Sequence, residues 1–293
     1  MSTAQLNIIS VLLDWLEDNL DQPLSVDDVA AKAGFSKWYL QRMFKSVTGH
    51  TLGAYTRARR LSRAALALRF TRRSILDIGY HYHFDSQQIF TRAFKRQFAQ
   101  TPGSYRCAAD WPLAGLCPPL RPKAGSLPKP DFVILPETRL FGITKSYSSS
   151  LEEIDDFFRR DIRTPLWHQY LQKATTLPPR LYGLNCLVPG GTNGRRQDMI
   201  LHYTTAWANQ LLPAYISEGQ TVVLNGGTYA QFTYEGLAEG LQNFILWVYD
   251  TSMPILELTR RQGHDVERFY PQPEFQCSAT CLIHCEYLIP IRC

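Results

Sequence analysis

Two ten-residue segments of this 293-residue chain, fifty positions apart, carry glutamine together with an arginine and a lysine at matching places. They cover residues 36–45 and 86–95, and both have serine first, an apolar fifth residue, and arginine, phenylalanine and lysine in register. Glutamine and arginine can each make two hydrogen bonds to the edge of one base in the major groove of DNA. The repeat therefore predicts one base-reading unit used twice.

Each segment is expected to form a helix with an apolar stripe opposite its polar side chains. The apolar residues of the first segment are Leu40, Met43, Phe44 and Val47. Those of the second are Ile89, Phe90, Ala93 and Phe94. The alternative to base reading is that the two segments form amphipathic helices whose polar faces are only solvated. The matched Arg and Lys positions in both copies make that alternative weaker.

A short helix and a turn are predicted in front of each segment. Ser25 and Asp28 have the spacing of a capping box, and Gly34 falls in the turn before Ser36. Helix, short turn and second helix predict a helix-turn-helix. His83 occupies the position of Gly34 in the second copy, where positive φ would be tolerated at some cost.

The charge distribution agrees with a polyanionic partner for the first part of the chain. Residues 1–106 hold 15 Lys and Arg against 8 Asp and Glu, a net charge of +7, whereas the remainder holds 16 against 18, a net charge of −2. A basic segment joined to a near-neutral one favours nucleic-acid binding by the basic segment alone. The arginines between the two copies are expected to meet phosphate or to face water. They are Arg57, Arg59, Arg60 and Arg63.

On these features the first 110 residues resemble the AraC/XylS family of bacterial transcription activators. The repeat, the helix between its copies, and the closing residues Thr101-Pro102 and Tyr105-Arg106 carry the resemblance. It implies base contacts by Trp38, Gln41, Arg42, Gln87, Gln88, Thr91 and Arg92. Contacts with the DNA backbone are expected from Lys37, Lys45, Arg57, Arg60 and Lys95. Gly79 and His83 depart from the family pattern, and we expect them to weaken the fit of the second helix.

Residues 111–130 contain six prolines and are expected to form a stiff, extended linker. After them the pattern becomes strand-like at residues 132–135, 140–147, 200–207, 221–234 and 281–292, with helices near residues 151–170 and 237–249. We therefore predict three parts: an all-α domain with twin helix-turn-helix units at residues 1–110, the linker at 111–130, and an α+β domain at 131–293. No run is long enough to span a membrane, so the expected location is cytoplasmic and nucleoid-associated.

The C-terminal domain resembles GyrI-like small-molecule-binding domains. The residues that carry the resemblance lie at 229–236, 267–271 and 286–291. It implies an amphipathic effector, and related domains that take up cations use a buried glutamate among aromatic residues. Glu286 is the first choice for that glutamate, Glu235 is weaker, and the alternative for Glu286 is a solvated strand face. The expected effector-binding residues are Glu286, Tyr229, Tyr234 and Trp207.

The expected partners are double-stranded DNA, RNA polymerase and the effector, and the resemblance implies activation of stress and multidrug-resistance promoters. No cofactor, metal site or catalytic residue is predicted, because no nucleophile elbow or phosphate loop is present and Cys277, Cys281 and Cys285 lack paired zinc spacing. Two alternatives stay open for the C-terminal domain. It could hydrolyse small electrophiles through Glu286 and nearby tyrosines, or it could serve only for sequestration or partner recruitment.

Overall fold

The computed structural model describes residues 3–71, 73–120, 127–147, 163, 178–190, 198–208, 218–271 and 281–292. Seven helices make up the N-terminal domain in the described part of the chain. They are α1 (Thr3–Asp18), α2 (Val26–Ala33), α3 (Lys37–Thr48), α4 (Leu52–Phe70), α5 (Ile75–His81), α6 (Gln87–Phe98) and α7 (Pro102–Cys107). The predicted all-α domain with twin helix-turn-helix units is confirmed.

Side-chain caps set where these helices begin. Ser25 accepts the backbone N–H of Asp28 at 3.1 Å, and the Asp28 carboxylate accepts the N–H of Ser25 at 3.0 Å, which completes the predicted capping box. Ser36 and Ser86 cap α3 and α6 by accepting the backbone N–H groups of Tyr39 and Ile89 with their side chains. His83 does adopt positive φ, at 60°, as its match to Gly34 with φ 72° predicts.

The long helix α4 belongs to two different apolar cores. Its start, including Leu52 and Tyr55, packs with α1, α2 and α3 in a core that Leu120 of the segment after α7 also contacts. From Leu61 onward it packs with α5, α6 and α7, and that second core continues into the C-terminal domain. The two helix-turn-helix units are therefore joined by one helix rather than by one core.

Ten strands form one antiparallel sheet in the described part of the chain. They are β1 (Trp111–Pro112), β2 (Asp131–Leu135), β3 (Thr138–Tyr147), β4 (Leu181–Gly190), β5 (Asp198–Ala208), β6 (Gln220–Leu224), β7 (Gly227–Leu237), β8 (Thr259–Arg260), β9 (Asp265–Phe269) and β10 (Leu282–Arg292). The main order is β6-β3-β5-β4-β9-β10-β7-β2, while β8 pairs with the end of β10 and β1 pairs with β8. All pairs are antiparallel, which confirms the predicted α+β class.

The sheet has an inner face toward the helices and an opposite, outer face. The inner face contributes to the core shared with the N-terminal domain, and the outer face has its own small core that includes Leu184, Val266 and Leu288. Helix α8 (Leu241–Trp247) continues through a π turn at Val248–Ser252 into a short helix α9 (Met253–Ile255). The helix expected near residues 151–170 lies outside the described residues.

The segment after α7 is not the extended linker that its prolines predict. Trp111 and Pro112 pair with β8, and Trp111 and Leu113 have 1% and 0% of their surface exposed. Backbone groups of Gly115 and Cys117 bond to Gln97 and Ser62. The expectation of an unpacked linker is wrong here, because apolar residues between the prolines enter the shared core.

We expect Trp111→Ala to lower the free energy of unfolding by about 3–5 kcal/mol, the usual cost of truncating a buried tryptophan. A residue of a free linker would cost almost nothing. Denaturant unfolding of the full chain measures the difference, with the exposed Lys129→Ala as the matched control from the same segment. Equal stability of the two variants would contradict the packed arrangement.

Candidate nucleic-acid interface and effector site

Helix α3 presents its polar side chains to solvent. Trp38 is 67% exposed, and Gln41 and Arg42 beside it are also exposed. The guanidinium carbon of Arg42 lies 5.4 Å from the centre of the Trp38 ring, so the two side chains stack. On the opposite side of α3, Leu40 and Phe44 are fully buried. The buried stripe fixes the helix, and the exposed face is free for a base-reading role.

Helix α6 has the same organisation. Gln87, Gln88 and Arg92 are exposed and Thr91 is half-buried. Phe90 and Phe94 are fully buried beneath them. The structure thus brings both predicted sets of base-contacting residues to helix surfaces, and their contacts with bases stay a prediction.

The second unit is packed more tightly than its departures from the family pattern suggest. A side chain at Gly79 would place its Cβ 3.3 Å from Phe90, so glycine allows α5 and α6 to approach closely. The imidazole of His83 bonds through Nε2 to the carbonyl oxygen of Asp21 at 2.6 Å, which joins the second turn to the loop before α2. These contacts hold α6 in place rather than loosening it.

A basic groove of about 540 Å³ separates the two units, between the start of α4 and helix α6. Its arginines are Arg57, Arg60, Arg92 and Arg96. Arg57 is exposed, whereas Arg60 donates to the carbonyl oxygens of Leu20 at 2.9 Å and Gln22 at 2.6 Å. Sequence reasoning missed Arg96, although it follows Arg92 by four residues and so shares its helix face.

The remaining cations expected at the backbone are exposed. Lys45 and Lys95 meet solvent, and Lys37 forms an exposed ion pair with Asp27 at 2.8 Å. Arg59 contradicts its expected role, because it is fully buried and bonds to Glu17 and Asp250. It therefore cannot reach phosphate.

The four residues predicted for the effector site do not come together. Neighbouring residues of a strand point to opposite faces of the sheet. Glu286 and Tyr229 belong to the outer face, whereas Tyr234 and Trp207 pack on the inner face. Glu286 is only half-buried, accepts the hydroxyl of Tyr270 at 2.7 Å and pairs with Arg268 at 2.9 Å. The prediction that Glu286 is the buried glutamate is wrong.

Glu267 on β9 is the fully buried glutamate of this domain. Its carboxylate accepts hydrogen bonds from the Tyr203 hydroxyl at 2.9 Å, from the Asn185 amide at 2.9 Å and from two guanidinium nitrogens of Arg163. Burial and the nearby carboxylate raise the pKa of Tyr203 well above its ordinary value, so the phenol stays protonated and donates. A side chain at Gly183 would sit 2.4 Å from the Tyr203 hydroxyl, so glycine leaves the space in which these groups meet.

Sequence reasoning did not find Glu267 because it did not predict β9. The available signal was the alternation Asp265, Glu267, Phe269, which places two acids and a ring on one face of a five-residue strand. Tyr203 and Trp207 share that inner face from β5. The candidate effector site therefore moves from Glu286 to the surroundings of Glu267.

Two further findings concern the described residues only. None of the helices there combines the length and apolar character needed to cross a bilayer. No three His, Cys, Asp or Glu side chains in that part approach one another as metal ligands would. Cys285 is a free thiol, and burial raises its pKa well above the ordinary value.

Twin helix-turn-helix units with exposed Gln and Arg, fused to a second domain built on an antiparallel sheet, define a class of two-domain, DNA-binding transcription regulators. Comparison with known families agrees: residues 23–108 match a helix-turn-helix domain and residues 128–292 match the GyrI-like small molecule binding domain. The chain belongs to the AraC family of regulators, in the group that carries a GyrI-like domain.

Three relatives show how far the similarity extends. The right origin-binding protein of Escherichia coli K12 is 55% identical over 98% of this chain and 99% of its own length. The transcriptional regulator Rob of Salmonella typhimurium is 53% identical over the same shares. The regulatory protein SoxS of Salmonella typhimurium is 54% identical over 99 residues, which are 34% of this chain and 92% of SoxS.

We expect Arg42→Ala to reduce discrimination between a selected operator and random DNA by about 1–3 kcal/mol, the value of a good bidentate base contact. Arg92→Ala should cost less, because Arg42 is held by stacking on Trp38, whereas the position of Trp38 in the second copy is occupied by Gln88. Competition binding at constant salt measures both variants, and Lys129→Ala supplies an exposed control outside both helices. Equal losses for Arg42→Ala and Arg92→Ala would refute the ranking.

Proposed function

We propose that this regulator activates stress and multidrug-resistance promoters by binding as a single chain to an asymmetric operator, with a small amphipathic effector controlling the outcome. The observation that carries the proposal is the placement of two capped recognition helices on one connecting helix, α4. Other helix-turn-helix proteins need two subunits to reach successive major grooves about 34 Å apart. Here one chain supplies both reading helices.

The groove between the units supports a DNA path across both. Arg57 on α4 and Arg96 near the end of α6 are exposed on the walls of this groove. Phosphate contacts fix the register of a protein on the duplex without reading its sequence. We assign these two arginines, together with Lys45 and Lys95, to the DNA backbone, in the cytoplasmic, nucleoid-bound protein.

A second surface is suited to RNA polymerase. An apolar groove of about 360 Å³ lies between α1 and the end of α2, where Val11 is 71% exposed and Lys32 stands 5.9 Å from the centre of the Trp15 ring. None of the predicted DNA-contacting residues lines it. Exposed apolar patches on soluble proteins commonly mark protein contacts. The groove can therefore serve a protein partner while α3 and α6 hold DNA.

We assign the effector to the inner face of the C-terminal sheet, around Glu267. Tyr203 and Trp207 are fully buried on the same face. Ligand sites of this kind combine apolar walls with a few fixed polar groups. Glu267 is bound by Arg163, so an aromatic cation can use this carboxylate only by displacing that guanidinium. The hydrolase alternative is less well supported, because the Glu286 carboxylate that it needs is already engaged by Arg268 and by the Tyr270 hydroxyl.

The DNA-binding part of the proposal predicts one chain per operator and a site about two helical turns long. Footprinting on DNA selected from a random pool, combined with sedimentation of the complex, measures both. Affinity should fall with salt by about 0.9 log units per log unit for each phosphate contact, and Arg57→Ala should reduce that slope by about one contact. A palindromic footprint that holds two chains would refute the proposal.

The effector part predicts different results for two glutamates on opposite faces of the sheet. Glu267→Gln should weaken binding of an aromatic cation to the full chain by at least about tenfold and spare decanoate and a bile salt. Glu286→Gln, the matched control, should leave all three unchanged. Calorimetric titration gives the affinities, and a melting curve shows that the Glu267→Gln variant is folded. A cation that binds both variants equally, or no binding by any of the three compounds, would contradict the assignment.

A further inference from the structure

The core of the second helix-turn-helix unit continues directly into the C-terminal domain. The ring of Phe70, at the end of α4, packs edge-on against Trp111 at 5.4 Å and against Tyr249 at 5.1 Å between ring centres. Trp111 stacks on Tyr249 at 5.2 Å with an interplanar angle of 17°, and its indole N–H donates to the Tyr105 hydroxyl. Trp111 therefore has aromatic partners from both domains, so the second unit and the C-terminal domain are built as one body.

The first unit has a core separate from that of this body, and Leu120 of the segment after α7 packs against it. Its core ends at Tyr55 on α4, and the shared core begins at Leu61. Arg59 lies between these two positions, at the point where α4 passes from one core to the other. Any contact made by Arg59 therefore acts on the junction between the two reading helices.

Arg59 uses both sides of its guanidinium group at this junction. Toward the first unit, Nε and Nη2 donate to the two carboxylate oxygens of Glu17 at 2.8 and 2.7 Å. Toward the C-terminal domain, Nη1 and Nη2 donate to the two carboxylate oxygens of Asp250 at 2.9 and 2.6 Å. Tyr55 donates its hydroxyl to Glu17 at 2.7 Å, and Nη1 also reaches the carbonyl oxygen of Cys117. The network joins α1, α4, the segment after α7, and the π turn that carries Asp250.

Because its charged groups are buried, this network is stable only when its hydrogen bonds are well aligned. Arg59 is 0% exposed, and Glu17 and Asp250 are 9% and 6% exposed. Burial acts to lower the pKa of Arg59, but the Asp250 and Glu17 carboxylates raise it well above its ordinary value, so the guanidinium stays charged. Buried ions are tolerated only where partners are held in good hydrogen-bonding geometry. The planar fork of arginine fixes direction as well as distance.

We infer that Asp250 is a positioning residue for DNA recognition: from the C-terminal domain it holds, through Arg59, the first recognition helix at a set angle to the second. The angle and spacing of α3 and α6 decide which separation of base-pair steps the chain accepts. Without Asp250, α4 keeps both units attached and the His83–Asp21 and Leu120–Tyr55 hydrogen bonds remain, but Arg59 loses its contact with the C-terminal domain. This inference depends on DNA binding by both units and is independent of any effector.

The test uses the full chain and two DNA duplexes. One is the operator selected by the unaltered protein, and the other carries one extra base pair between the segments bound by the two units. We expect the inserted pair to weaken binding of the unaltered protein by at least about tenfold. Asp250→Asn should reduce that penalty at least about fivefold, the lower end of common coupling effects, while affinity for the first half of the operator alone stays unchanged.

Asp110→Asn is the matched control. Asp110 pairs with Arg292 at 2.5 Å, which joins the segment after α7 to β10, but 64% of the Arg292 side chain is in solvent. It should leave the insertion penalty unchanged, because exposed ion pairs contribute little. An equal change in both variants would overturn the inference. So would a full insertion penalty in Asp250→Asn, or an equal loss of affinity on both duplexes.

A second variant covers the case in which Asp250→Asn does not fold. Arg59→Lys keeps the charge but cannot serve both carboxylates with a planar fork. It should reduce the insertion penalty by a smaller factor, with a single cooperative melting transition. Hydrogen exchange should rise in α1 and the middle of α4 and stay low in α5 and α6. An unchanged penalty together with unchanged exchange in α1 would also overturn the inference.

Discussion

Arg59 lies out of contact with water between a carboxylate of the first helix and a carboxylate of the C-terminal domain. Three charged groups in one dry place are stable only while each keeps its hydrogen-bond partners, so α1, α4 and the π turn must hold fixed relative positions. Much of the architecture depends on this. The helix that joins the two reading units is anchored at its midpoint by a residue that lies 191 positions further along the sequence.

The C-terminal sheet holds two glutamates that look alike in the sequence but lie in different surroundings. Glu267 and Glu286 both lie on paired central strands, β9 and β10, but they occupy opposite faces. The inner glutamate is dry and bound by Tyr203, Asn185 and Arg163, whereas the outer one remains in contact with water beside Tyr270 and Arg268. Because neighbouring residues of a strand point to opposite faces of the sheet, a shift of one position decides which carboxylate is buried among the aromatic rings.

Local features of the fold could be predicted because their causes lie within a few residues. The Ser25–Asp28 box, the cap at Ser36 and the positive φ at His83 all follow from neighbouring residue types. The exposed face of α3 follows from helical spacing alone. The roles of Arg59 and Glu267 could not be predicted this way, because both depend on residues more than sixty positions away. The prolines of 111–130 led to the prediction of an extended linker, although Trp111 and Leu113 lie in the same segment. The partners of these two apolar residues become apparent only once the domains are assembled.

The continuous core through Phe70, Trp111 and Tyr249 has a consequence for how regulators of this type can evolve. SoxS matches this chain over little more than its first third, so DNA-binding domains of this lineage also occur in short chains. A short chain has to present a water-compatible surface where this one packs Phe70 against Trp111 and Tyr249. Gain or loss of the C-terminal domain therefore requires matched changes on both sides of the boundary. Recombination at the gene level would exchange such domains only between chains that already share these contact surfaces.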